Sequence, residues 1–309
     1  MDPYRKEPAV RTLRAAIRRG DWPAIESFFA QLADPDEYAT YTRIAAETQG
    51  TEDYLHAIVR QNRMSDLALL LYGARSICWA WEGRTAAAAA QVSNERWQKF
   101  FDRLHTAEAA LGELVRRTPG NAHAWAYLVT TSRGLDFGIP ESRRRFERAV
   151  AVHPTHLYAH RMMLTQLCAK WGGSHEAMLN FARESLAKAP PGSAIGALVP
   201  EAHIEHHMSR PGASMTLMYL KLQRQELLDA AHRSVLHPDF RPSVATIGDQ
   251  NMFAAALSLA GAHRAAATQF RALGGRYTPM PWGYFSGSPG ALARSRRIMG
   301  LVARPFVRN

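Results

Sequence analysis

Three helix-ending phrases constrain this chain more than any other feature. Arg117-Thr118-Pro119, Ala151-Val152-His153-Pro154 and Ala187-Lys188-Ala189-Pro190 each close an amphipathic stretch, at prolines 35 and then 36 residues apart. Proline cannot continue a helix, so the phrases mark a repeating stop. A unit of that length with two helical patterns is the mark of stacked helical hairpins. Alanine abounds, including the stretch from Thr85 to Ala90, while valine and isoleucine are sparse; that balance favours helix over sheet. The reading is an all-α chain, a right-handed α-α superhelix of antiparallel helix pairs, and such solenoids mainly present binding surfaces.

Periodicity and capping residues place helices along the chain. The first spans 8–19 and stops at Gly20; Asp21 caps the second, with Ile25, Phe28, Phe29 and Leu32 inward. Further helices are predicted at 37–48, 51–62, 65–82 and 94–117. Asn121 caps a helix bearing Trp125, Leu128 and Val129, and its partner carries Phe146, Ala149 and Val150. Then follow 155–170, 174–188, 194–208, 214–235, 251–260 and 263–273. The expected organisation is an atypical capping region at 1–93, repeats at 94–275, and an aromatic, proline-rich segment with a basic tail at 276–309. Tyr277–Ser288 departs from helical patterning and reads as a cap, a lid or a docking segment.

In residues 119–190 and 251–273 the pattern resembles tetratricopeptide repeats. A large residue sits early in the first helix of a pair (Trp125, then His160), and small residues (Ala149, Ala182, Ala265) sit where paired helices approach. The usual mid-helix glycine is missing from the 156–170 helix. The phrases Trp79-Ala80-Trp81, Lys170-Trp171-Gly172-Gly173-Ser174, Phe181-Ala182-Arg183 and Glu201-Ala202-His203-Ile204-Glu205 resemble an uncharacterised family of actinobacterial helical-repeat proteins. The first resemblance implies a peptide or protein partner held along a concave face; the second implies fold and no activity.

The net charge of +11 comes mostly from scattered arginines, read as a solvated surface. Local excesses occur at Arg143-Arg144-Arg145 and at Arg294, Arg296, Arg297, Arg304 and Arg308. They suit an acidic partner; without zinc-finger, RNA-binding or basic-zipper motifs, a nucleic-acid role is disfavoured. Cys78 and Cys168 read as buried thiols in a reducing cytoplasm. No apolar signal follows the N-terminus, and the apolar stretch at 67–81, broken by Gly73 and Arg75, is too short to span a bilayer.

Seven of the 13 histidines fall between 153 and 207. His156 and His160 share a helical face on the 3.6-residue period, as do His203 and His207. Were those faces to meet, His156, His160, His203 and His207 would suit zinc or another first-row divalent metal. The spacing of His203 and His207 matches a metalloprotease helix, but Ile204 stands where that motif needs glutamate, so Glu201 or Glu205 must supply any base. The acid–base candidates are therefore His160, His203, Glu201 and Glu205. In the glycine turn, Ser174 caps the next helix and Lys170 stands beside it, an arrangement for a small anion or carboxylate. Trp79 and Trp81 point in different directions and frame either a groove or a packing core.

Two functions follow. The leading expectation is a noncatalytic scaffold without cofactor, binding through Trp125, His156, His160, Lys170, Ser174, Glu201 and His203. The alternative is a small-molecule enzyme, metal-dependent in one version, acting on an acidic substrate through the histidines of 153–207.

Overall fold

The computed structural model describes residues 2–62, 64–84, 93–209 and 213–286; the alanine-rich stretch at 85–90, which begins with Thr85, and the basic tail from 290 onward lie outside them. Every described element is helical, and no strand occurs among the described residues. The chain divides into two compact units, one of Glu7–Gly173 and one of 174 onward together with the first six residues. The division falls inside the expected repeat region, at the glycine turn.

The first unit contains α1 (Pro8–Arg19), α2 (Trp22–Ala30), α3 (Pro35–Ala46), α4 (Glu52–Gln61), α5 (Asp66–Arg84), α6 (Asn94–Arg117), α7 (Ala122–Gly134), α8 (Gly138–Val152) and α9 (Leu157–Gln166). The caps follow the side chains: Asp21, Asp34, Ser93 and Asn121 each accept a backbone N–H of the first turn they precede. Consecutive helices pack on one another, most extensively α5 with α6 and α7 with α8. Leu70, Ala74, Ile77, Phe100, Leu104, Leu111, Leu114 and Leu128 form the shared core. Gly73 is no helix break. It lies where α5 meets α6, and a Cβ there would come within 2.5 Å of Leu111 Cγ.

Two arginines read as surface are buried clamps. Arg75, 1% exposed, donates to Glu52 Oε1 and the Ala46 carbonyl, both at 2.8 Å, and to the carboxylate of Glu82 at 2.6 and 2.8 Å. It ties the end of α3 and the start of α4 to α5. Arg145 on α8, 6% exposed, donates to Glu108 of α6 at 2.7 and 2.8 Å, to the Leu128 carbonyl of α7 at 2.9 Å and to Glu141 at 2.6 Å. Each removes a cation from water only because its donors find acceptors in place.

The second unit contains α10 (His175–Lys188), α11 (Leu198–Met208), α12 (Ala213–Leu222), α13 (Arg224–Arg233), α14 (Ile247–Leu259), α15 (His263–Leu273) and α16 (Pro279–Ser286). The helix predicted over 214–235 is two, separated at Gln223. Nearly every residue of α14 is buried, and α11, α12, α13, α15 and α16 all pack on it. Asn251 satisfies its amide there: it donates to the Ile247 and Arg276 carbonyls at 2.8 and 2.9 Å and accepts from Trp282 Nε1 at 2.7 Å. The segment after 276 is therefore docked on α14 as far as it is described, in a short helix kinked at Met280. No helix of the described residues is long and apolar enough to cross a membrane.

Replacing Arg145 by Met should cost on the order of 3 kcal/mol, because Glu108 loses its cation, the Leu128 carbonyl loses a donor, and only the Thr131 hydroxyl still reaches Glu108. Urea unfolding followed by circular dichroism reads this directly. An unchanged midpoint would show that the clamp contributes nothing.

Candidate functional site

A cleft of about 400 Å³ opens in the first unit where helix ends converge. The C-terminal part of α5 supplies Trp81, the first turns of α6 supply Trp97, Phe100 and Phe101, and the end of α7 supplies Ser132 and Arg133. Gln166 closes α9, and the turn after it contributes Lys170 and Trp171. The rings touch in sequence: Trp171 to Trp81 at 5.8 Å, Trp81 to Phe100 at 5.0 Å, and Phe100 to Phe101 at 5.4 Å, with Trp97 stacked on Phe101 at 5.6 Å. Edge-to-face and offset contacts of this kind hold a wall in one shape.

The floor beneath is polar and closed. Ser142 Oγ lies 2.9 Å from Ser132 Oγ and 3.2 Å from Gln166 Oε1, and Gln166 Nε2 donates to the Trp171 carbonyl at 3.2 Å. Gly172 takes φ +85°, and a Cβ on Gly173 would fall 2.1 Å from the Leu167 carbonyl oxygen. The glycine pair thus folds the chain tightly enough to bring Trp171 to the wall.

Arg133 differs from the clamps. Its guanidinium lies 5.6 Å from the centre of the Trp171 ring and 6.0 Å from that of Trp81. It donates to the Met162 carbonyl at 3.3 Å, while its buried Nε meets no acceptor among the described residues. No described carboxylate pairs with it, and burial pulls its pKa down. The exposed Lys170 adds a second cation to the lining and Asp136, at φ +57°, the one carboxylate.

The sequence-predicted histidines have other duties. His156 is the residue before α9 and not part of its face: its Nδ1 accepts the Ala159 N–H at 3.2 Å. Nε2 therefore carries the proton, which it donates to His123 Nδ1 at 2.9 Å. Both nitrogens of His156 are used, leaving no lone pair for a metal. His160 Nδ1 donates to the His156 carbonyl at 3.0 Å. Asp36 of α3 accepts the Leu157 N–H at 3.3 Å and lies 3.4 Å from His153, while Tyr38 stacks on His123 at 4.6 Å. This group fastens α3 to the start of α9.

In the second unit His203, 1% exposed, has Nε2 3.1 Å from Glu226 Oε2 and Nδ1 2.7 Å from the Tyr219 hydroxyl. The same hydroxyl lies 3.1 Å from His206 Nδ1, and His206 stacks on His175 at 4.2 Å. The hydrogen bond from His203, then that from Arg183, holds the Glu226 carboxyl down to about 2. In the tautomer that donates from Nε2 to this carboxylate, Nδ1 accepts the Tyr219 proton. Glu226 is thus the acid facing His203; Glu205 accepts from Tyr284 at 2.9 Å, and Glu201 is half-buried on α11. Ser174 spends its hydroxyl capping Ala177, and Trp125 Nε1 donates to the Pro119 carbonyl at 2.8 Å. Lys170 alone of the predicted ligand-binding residues lines the cleft. Among the described residues no three His, Cys, Asp or Glu side chains are arranged to hold a metal ion.

No protein-family model, curated protein or solved structure matches this chain. The helical build and the packing of successive helices are compatible with a helical-repeat fold.

The histidine group makes stability depend on pH. Burial, with a smaller push from His153, lowers His123 to about 4, and burial first of all lowers His156 and His160. An unfolded histidine titrates near ~6.5, so below that pH the unfolded chain binds more protons. The contribution is complete above ~6.5 and is lost as pH falls towards 4, at up to about 1.4 kcal/mol per pH unit for each histidine. Melting temperature should therefore drop between pH 7 and 5. His156→Asn, which keeps the cap and removes a titrating ring, should flatten the drop; an equal slope in the variant would refute the assignment.

Proposed function

We propose that the chain is a noncatalytic binding module, a right-handed α-α superhelix of tetratricopeptide-like helix pairs that grips an acidic peptide or protein partner. The observation that carries this reading is the cleft itself, an aromatic wall open to solvent with a guanidinium that no described acid neutralises. Aromatic rings and arginine are the residue types that concentrate binding energy at interfaces. Phe101 is 38% exposed on the rim, an apolar ring whose burial a partner would complete. Cys78 and Cys168 are thiols outside any disulfide, which fits a reducing, cytoplasmic setting.

Selection of peptides from a random displayed library against the purified protein tests the proposal. Enriched sequences should carry an acidic group beside a bulky apolar residue. They should bind Trp97→Ala roughly tenfold or more weakly, the loss expected for a central aromatic anchor. Enrichment of nothing, or of peptides indifferent to Trp97, would remove the reading.

One arrangement favours a second reading, an acid–base enzyme in the other unit. Glu226 orients His203, and His203 faces a tyrosine hydroxyl, the order of parts in a carboxylate–imidazole–hydroxyl relay. The binding reading expects no turnover of an activated nitrophenyl ester above the buffer rate. Turnover lost in both Tyr219→Phe and His203→Gln would instead establish the enzyme.

A further inference from the structure

The chemistry of the cleft narrows what can fill it. At about 400 Å³ it lies near the lower end of small-ligand sites, which run from ~300 to ~1,000 Å³. That admits one large side chain with its attached backbone and excludes a helix, whose diameter is about 10 Å. A box of aromatic rings ordinarily suggests a cationic guest such as a methylated ammonium. Here the Trp81 and Trp171 rings already have Arg133 at 6.0 and 5.6 Å, so a second cation would meet a like charge in a half-buried site. A purely apolar guest would bury the guanidinium further without supplying an acceptor. A phosphate dianion calls for more donors than Arg133 and Lys170 offer beside Asp136. What remains is a carboxylate, whose two oxygens match the guanidinium fork. The aromatic wall runs from Trp81 through Phe100 to Trp97 and Phe101 in steps of 5.0 to 5.6 Å. A ring held a few bonds from that carboxylate would pack on it.

We infer that the cleft takes a carboxylate carried next to an aromatic ring, presented as the C-terminal residue of a peptide ending in phenylalanine, tyrosine or tryptophan. The choice of a peptide as the source rests on the partner-binding reading above. The terminal carboxylate seats on Arg133 with Lys170 at the mouth, and the side chain packs on Trp81 and Phe100 beneath the rim of Trp97 and Phe101. A C-terminal amide keeps the ring and loses the charge, so it binds poorly.

Calorimetric titration of the full chain tests this with three probes: an acetylated pentapeptide ending in phenylalanine, the same peptide as its C-terminal amide, and phenylacetate. The acid should bind roughly tenfold or more tightly than the amide, the range for a hydrogen bond to a charged group. Arg133→Gln should abolish that difference, while Trp97→Ala should weaken acid and amide alike. If Arg133→Gln fails to give the native circular dichroism spectrum, Lys170→Ala, at an exposed position, should weaken the acid alone. Equal binding of acid and amide would overturn the inference and leave the partner reading standing. Binding of phenylacetate through Arg133 without binding of the peptide would uphold the aryl-carboxylate chemistry but overturn its peptide source, and with it the partner reading. Failure of all three probes, or displacement of the peptide by tetramethylammonium, would overturn the inference.

Discussion

Burying a guanidinium is the most demanding thing this chain does. Arg75 and Arg145 are each nearly sealed from water, and each is held by carboxylates and a backbone carbonyl drawn from three successive helices. A planar group with five N–H donors in fixed directions tolerates little rotation or sliding of the helices that supply its acceptors. Arg75 sets α5 against α3 and α4, and Arg145 sets α8 against α6 and α7. The aromatic cleft is built on helices that these clamps hold: Trp81 directly precedes Glu82, the α5 partner of Arg75, and Ser132 and Arg133 follow Thr131 of α7, which Arg145 contacts. Its wall stays in shape because the helices behind it cannot shift without stranding a buried charge.

Arg133 acquires its meaning by contrast. It is the same residue type, one helix position among many, yet its Nε finds no acceptor and no described acid pairs with it. Where Arg75 and Arg145 meet carboxylates and carbonyls, Arg133 lines a cleft open to solvent and no described carboxylate pairs with it. A buried donor left unmatched costs stability in the empty protein. On the proposed reading, a carboxylate that reaches the open side of the guanidinium supplies the acidic partner that no described residue provides.

Much of the fold was legible because helix signals are local. Asp21, Asn121 and Ser174 announce their helices within three residues, and Gly20 ends the first helix as a left-handed cap. The cleft was only partly legible. Trp81, Lys170 and Trp171 stood out by type, but Arg133 looked like any surface arginine, since what distinguishes it is the absence of an acid supplied from elsewhere. Likewise Glu108 and His123, partners of Arg145 and of His156, sit 37 and 33 residues away, beyond the reach of the local helical period. His156 misled for a local reason as well: its imidazole does the work usually given to serine or asparagine, so a capping residue passed for one on a helical face. The break at Gln223 had no proline or glycine to mark it.

The overall charge and the cleft act over different ranges. A net charge of +11 attracts any polyanion, but salt at physiological strength screens such attraction beyond about 8 Å. It therefore brings acidic molecules near without choosing among them. Arg133 lies half-buried between aromatic faces, where screening ions do not enter and the local dielectric is low. Its interaction is short in range and strict in geometry. On the proposed reading, long-range charge sets how often an acidic partner arrives, and the guanidinium of Arg133 sets how long the right one stays.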